Sequence, residues 1–174
     1  EATADWLRAL LAAVGVQNDG QGTLVGHSMG SLIGLEAAAR HPALVSRLVM
    51  VGTAYPMKVS EALLTTSAQA PLKAIDMVNS FSISTLATKP GYPGPGMWLH
   101  GSNRALMRRT LAGPNGTGCA VNLFHHDFSV CDRYTGGLAA AKVTAQVTMA
   151  LGNADQMTPP RATHDLAAAL KAKV

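Results

Sequence analysis

Thr23-Leu24-Val25-Gly26-His27-Ser28-Met29-Gly30 is the stretch on which the fold class turns. Its first three residues form a short apolar run, consistent with a buried strand, and the turn cluster Asn18-Asp19-Gly20-Gln21-Gly22 precedes them. Its last five read G-x-S-x-G. From Met29 to Arg40 the residues are good helix formers with small side chains, including Ala37, Ala38 and Ala39, and Pro42 marks the end. A serine between a strand and a helix sits on a tight, strained turn that points its Oγ into a cleft, and Gly26 and Gly30 lack the Cβ that would clash there. The backbone N–H of Met29, at the start of the helix, can stabilise a developing oxyanion together with the helix dipole. Ser28 is the expected nucleophile and Met29 the expected oxyanion donor, with Gly26, His27 and Gly30 completing the turn. The plainer alternative is a serine in an ordinary glycine-rich turn with no chemistry.

Working outward, Trp6, Leu7, Leu10, Leu11 and Val14 recur at helical spacing and Gly15 comes next, which predicts a helix over about residues 2–14 that covers one sheet face. Arg47-Leu48-Val49-Met50-Val51-Gly52 is a second apolar run, and Val143 to Leu151 a third. The first two runs flank a helix within about 30 residues, the size of one strand-helix-strand unit, so the fold class is α/β with a parallel sheet flanked by helices. Between Ala54 and Tyr134 the character changes to helix-like stretches. Two glycine- and proline-rich breaks interrupt them, at residues 90–96 and 113–116. This reads as an insertion, with helices at about 59–69, 72–80, 98–111 and 118–127. The expected organisation is a core over 1–54, the insertion over 55–135 and the core resumed over 136–174.

Composition excludes several function classes. The 174 residues carry a net charge of +4 from 14 basic and 10 acidic residues scattered along the chain, with Arg108-Arg109 the densest pair, so no nucleic-acid footprint is expected. No run reaches the roughly 18 apolar residues of a membrane span, because Arg8, Glu36, Arg40 and Arg47 break the Ala- and Leu-rich stretches. Cys119 and Cys131 are not spaced as a metal pair and are too few for a disulfide scaffold, so free thiols and a reducing, cytoplasmic compartment are expected. Residue 1 is Glu, and Ala2 to Val14 has no signal-peptide pattern. Leu166 to Lys173 runs into Val174 with no polar tail. Truncation at both ends is the expectation.

A serine needs a base to take its proton and an acid to orient that base, in the chain order Ser, then Asp or Glu, then His. Asp155 stands in Gly152-Asn153-Ala154-Asp155-Gln156-Met157-Thr158-Pro159-Pro160, just past the third apolar run. The carboxyl edge of open α/β sheets is where sites lie, which makes Asp155 the expected acid. Thr158 is expected to cap the next helix, with Pro159 in its first turn. The alternative is that Asp155 only supports that turn.

Gly-His-Ser-Met-Gly, a helix ending Arg40-His41-Pro42, the run Leu48 to Gly52, an insertion, and a strand leading to Gly-x-x-Asp-x-Met-Thr-Pro together resemble the bacterial α/β-hydrolase family. The resemblance implies a serine hydrolase acting on esters or related acyl compounds, with no cofactor and a small-molecule acyl substrate as partner. It implies a helical cap for residues of about 55 to 135, and a His27 that packs beside the serine. Two expected parts lie outside the sequence. A helix of about 11 to 12 residues and a strand of about 5 to 6 must come after Asp155 before the loop that bears the histidine, and the chain ends where that strand would start. The early strand-loop with the second oxyanion donor is also missing.

The six histidines present offer no substitute. His41 ends a helix, His164 falls inside the final one, predicted over 159–171, and His100 lies in the insertion. His125-His126 with Asp127 is a cluster of chemical types, but adjacent helix positions point about 100° apart and disfavour one shared metal ion. The reading there is the end of a cap helix, with Asp127 capping the next segment and His126 a candidate substrate contact. Two rivals to the hydrolase remain: a ligand-binding or receptor-like module of the same fold with little turnover, and a fragment without independent activity, its sheet edges unpaired.

Overall fold

A computed structural model describes residues 2–16, 22–82, 99–112 and 122–174. Asn18 to Gln21, the breaks at 90–96 and 113–116, Cys119 and the first part of the helix expected from 118 lie outside the described residues. The described elements in chain order are α1 (Ala2–Ala13), β1 (Thr23–His27), α2 (Met29–Arg40), β2 (Arg47–Val51), α3 (Glu61–Gln69), α4 (Pro71–Phe81), α5 (Leu99–Ala112), α6 (Leu123–Arg133), α7 (Gly137–Ala140), β3 (Gln146–Ala150), a 3-10 turn (Pro160–Thr163) and α8 (His164–Leu170). They divide into two compact units, Glu1–Met57 with Tyr134–Val174, and Lys58–Arg133.

The first unit is built on a parallel sheet in the order β1-β2-β3. The register sets Leu24 beside Leu48 and Leu48 beside Val147, and Gly26 beside Met50 and Met50 beside Met149. Central strand β2 therefore supplies the fully buried Leu48 and Met50. Past α8, Lys173 makes a parallel bridge to Thr148, with Met149 N–H donating to Lys173 O and Lys173 N–H to Val147 O. Helix α2 packs on the sheet through Leu32, Leu35, Ala37 and Ala38. Its small residues let it come close: a Cβ on Gly34 would stand 2.9 Å from Leu48 Cδ1 and 3.2 Å from Leu24 Cδ2.

Helix α1 departs from the sequence expectation. It packs against α2, through buried Ala4 and half-buried Leu7 and Leu11, while Trp6, Leu10 and Val14 are exposed. The apolar stripe spans more of the helix than the partner covers. Polar contacts to the end of α2 add to this packing, since Asp5 accepts from Arg40 Nη1 at 3.4 Å and lies 3.2 Å from His41 Nε2.

The two ends of the interruption in this unit are tied to each other. Tyr55 OH donates to Thr135 O, the Tyr55 and Tyr134 rings meet edge to face with centroids 6.0 Å apart, and Tyr134 OH donates to Glu36 Oε1 at 2.7 Å. Burial, reinforced by the Glu36 carboxylate, pushes the Tyr134 phenol well above its ordinary range, so it stays protonated and keeps its hydrogen for Glu36.

The second unit is helical, α3 to α6, around Ala74, Ile75 and Phe124, with Leu63, Val78, Met107, Leu111 and Phe128 packed on them. Ser60 caps α3 by accepting from Leu63 N–H at 3.3 Å, and Pro71 opens α4. Helix α6 corrects the expected 118–127 span, because it runs Leu123–Arg133 and places Asp127 inside it rather than at a cap. The capping residue is Asn122, whose Oδ1 accepts from His125 N–H at 3.0 Å while its Nδ2 donates to Ser67 O at 2.8 Å. His125 turns inward to Ser67 Oγ, 2.8 Å from Nδ1, and His126 pairs with Asp127 at 3.2 Å. At the ends of this unit, Lys58 Nζ donates to Asp132 O at 2.7 Å and Val59 N–H to Asp132 Oδ1 at 3.1 Å.

Candidate active site

Ser28 occupies the single residue between β1 and α2 with φ 52° and ψ −123°, a conformation that costs a non-glycine residue of the order of 1–3 kcal/mol. A serine before a helix ordinarily has β-region dihedrals and turns its oxygen onto the first-turn N–H groups. Ser28 makes no such side-chain cap bond, so its hydroxyl is not used in finishing the helix. The backbone is held from both sides. Ser28 N–H donates to Val51 O at 2.9 Å, and Ser28 O accepts from Ser31 N–H at 2.9 Å and Ser31 Oγ at 2.5 Å. Ser31 Oγ also bonds Thr53 Oγ1 at 2.7 Å, and both residues are fully buried.

Gly26 is required for contact reasons, since a Cβ there would fall on the carbonyl of Gly30 and lie 2.7 Å from Ser31 N. Gly30 corrects the sequence reading: a Cβ on it meets nothing within 4 Å, because this position points away from the packed side of the turn. Met29 is the first residue of α2, where backbone N–H groups have no partner inside the helix.

Asp155 sits on the loop after β3. Its Oδ1 accepts from Met157 N–H and Thr158 N–H, each at 2.8 Å, and its Oδ2 accepts from Thr158 Oγ1 at 2.8 Å. Partial burial pushes this carboxyl up, but the three hydrogen bonds and the nearby His27 ring outweigh it and hold the group below its ordinary carboxylate value. Thr158 thus spends its hydroxyl on Asp155 and caps no helix, which corrects the expected role. Pro159 likewise precedes the helical segment, and Pro160 opens a 3-10 turn that gives way to α8 only at His164. Asp155 supports its own turn, and its three bonds occupy three of about four carboxylate acceptor sites, leaving room for one further donor.

The sheet register brings these parts to one edge. His27 pairs with Val51 and Val51 with Ala150, so the Ser28 turn, Gly52-Thr53 and the Gly152 to Thr158 loop all leave from the carboxyl ends of the strands. Gly52, at φ 52°, donates its N–H to Ala150 O at 2.9 Å, and a Cβ on it would stand 3.3 Å from His27 Nε2 and 3.5 Å from Thr158 Oγ1. His27 therefore lies beside the acid loop as well as next to the serine in sequence. The buried hydroxyls of Ser31 and Thr53 escape a sequence reading, whose only hint is a polar residue three past Ser28 or just after a strand-ending glycine, and the Thr158 hydroxyl takes a partner other than the expected one. His41 contacts Asp5, His164 is exposed at the start of α8, and His100 lies in α5. Among the described residues no three His, Cys, Asp or Glu side chains gather as a metal site would require, and no helix is long and apolar enough to cross a membrane.

The family profile described as alpha/beta hydrolase fold matches residues 1–91, over half the chain, and the chain belongs to that family. Solved structures agree on the fold. A thermophilic esterase superposes with a TM-score of 0.70 at 22% identity, over 98% of this chain and 60% of its own. An esterase from Exiguobacterium antarcticum gives 0.68 at 18%, over 98% and 62%. An enzyme described as degrading N-acyl homoserine lactones gives 0.74 at 14%, over 98% and 62%. The chain spans about 60% of the length of these relatives. No curated protein matches it.

Proposed function

We propose that the chain carries the nucleophile and the acid of a serine hydrolase acting on an ester or related acyl substrate, with no cofactor and with the histidine of the triad outside residues 1–174. The observation that carries this reading is the strained backbone of Ser28 together with the absence of a cap bond from its side chain. Such strain persists only where surrounding structure enforces it, and it clusters at functional sites.

In this reading Ser28 Oγ attacks the acyl carbonyl carbon and gives its proton to the histidine, whose cation Asp155 stabilises. The oxyanion forms against Met29 N–H. Collapse expels the alcohol with the proton from the histidine, and water repeats the sequence to free Ser28. Residues 58–133, inserted between β2 and β3 in sequence, are assigned the role of a cap that shapes specificity. Relatives described as esterases and as an acyl homoserine lactone degrading enzyme support an acyl bond as the target.

A fluorophosphonate probe applied to the full-length protein is expected to label Ser28, and Ser28→Ala to abolish the label. Labelling that survives the substitution overturns the assignment. Saturable ligand binding with no labelling and no product would instead favour a receptor-like module.

A further inference from the structure

We propose that Thr158 is a positioning residue for the acid, its backbone N–H and its hydroxyl holding the two oxygens of Asp155 so that Oδ2 keeps one acceptor site for a histidine. The inference rests on the reading of Asp155 as the triad acid and adds a residue to it. Two backbone N–H groups, from Met157 and Thr158, occupy Oδ1. Among the described residues, Thr158 Oγ1 alone occupies Oδ2. The carboxylate plane is thereby fixed, and the oxygen left to bond an imidazole N–H is Oδ2.

Thr158 is itself held. It is buried, and its hydroxyl sits beside Gly52, 3.5 Å from where a Cβ on that residue would stand, an ordinary packing distance. Gly52 directly follows Val51, whose carbonyl receives the Ser28 N–H. The acid loop is thus referenced, through Thr158 and Gly52, to the strand end that fixes the serine turn. A displaced acid orients the base poorly, and misplacement of about 1 Å in a site costs up to about a hundredfold in rate.

The test compares Thr158→Val, which keeps shape and removes the hydroxyl, with Thr158→Ser, which restores it, in the full-length protein. Thr158→Val is expected to lower kcat on a soluble acyl ester at least about tenfold with KM unchanged, and to slow fluorophosphonate labelling of Ser28 in parallel. Thr158→Ser is expected to stay near wild type. Wild-type kcat in a folded Thr158→Val protein, or equal impairment in both variants, overturns the proposal. If Thr158→Val does not fold, Thr158→Ala against Thr158→Ser makes the same comparison. Asp155→Asn separates the two levels. Full activity in Asp155→Asn removes the acid assignment itself, whereas an inactive Asp155→Asn beside an unimpaired Thr158→Val removes only the role of Thr158.

Discussion

At the scale of single residues, the chain keeps Ser28 where a serine is least comfortable. Glycine reaches φ 52° without the Cβ penalty, so Ser28→Gly is expected to raise stability by about 1 kcal/mol in urea unfolding while eliminating probe labelling. A substitution that gained nothing would mean that the turn is not strained. Asp155 carries a different signature. Its carboxyl is held below its ordinary value in the folded protein, so the stabilisation is present above the unfolded-state pKa of about 4 and fades as pH falls through the folded value. Unfolding curves of wild type and Asp155→Asn are expected to differ at pH 7 and to draw together as the pH falls below the ordinary carboxylate range, with a gap below about 1 kcal/mol because solvent screens this partly exposed group. The serine turn was legible from five residues because a strand, a serine and a helix leave few local geometries. The partners of the Ser31, Thr53 and Thr158 hydroxyls were not legible, since they come from segments far away in sequence or from a loop whose path no periodicity encodes.

At the scale of elements, β1, α2 and β2 could be read because apolar runs, small helix residues and Pro42 point to the same architecture. β1 nonetheless extends two residues past its apolar run, to His27, because Gly26 and His27 continue the ladder to Met50 and Val51. Helix α1 shows where periodicity fails: it reports how much apolar surface a helix has, and only the packing partner decides how much is covered. The final helix begins late because Asp155 takes the Thr158 hydroxyl that the cap reading assigned to it. Helix α6 holds buried Cys131, a free thiol whose pKa is pushed up to about 11, chiefly by burial and further by Asp127. The thiol form therefore dominates at pH 8. In a Cys119→Ser background, Cys131 is expected to react with a disulfide reagent at least about a hundredfold more slowly than a free cysteine, and rapid reaction would show that α6 opens readily.

At the scale of the whole molecule, the matched family profile and the architecture shared at low identity agree on the alpha/beta hydrolase fold. Exposed Trp6, Leu10, Val14 and Val25, the last on edge strand β1, leave apolar surface on the sheet-bearing unit that solvent meets directly in this chain. The pair Tyr55 and Tyr134 has a consequence of another kind. The bond from Tyr55 to Thr135 and the tie of Tyr134 to Glu36 bring together the two places where the first unit is interrupted, and Lys58 and Val59 reach Asp132 where the second begins and ends. Closing a gap between ends already held together needs only a short linker, and the entropy of closure rises slowly with loop length. Residues 58–133 are therefore expected to be exchangeable as a cassette, and a short linker in their place is expected to leave the strand order of the sheet unchanged.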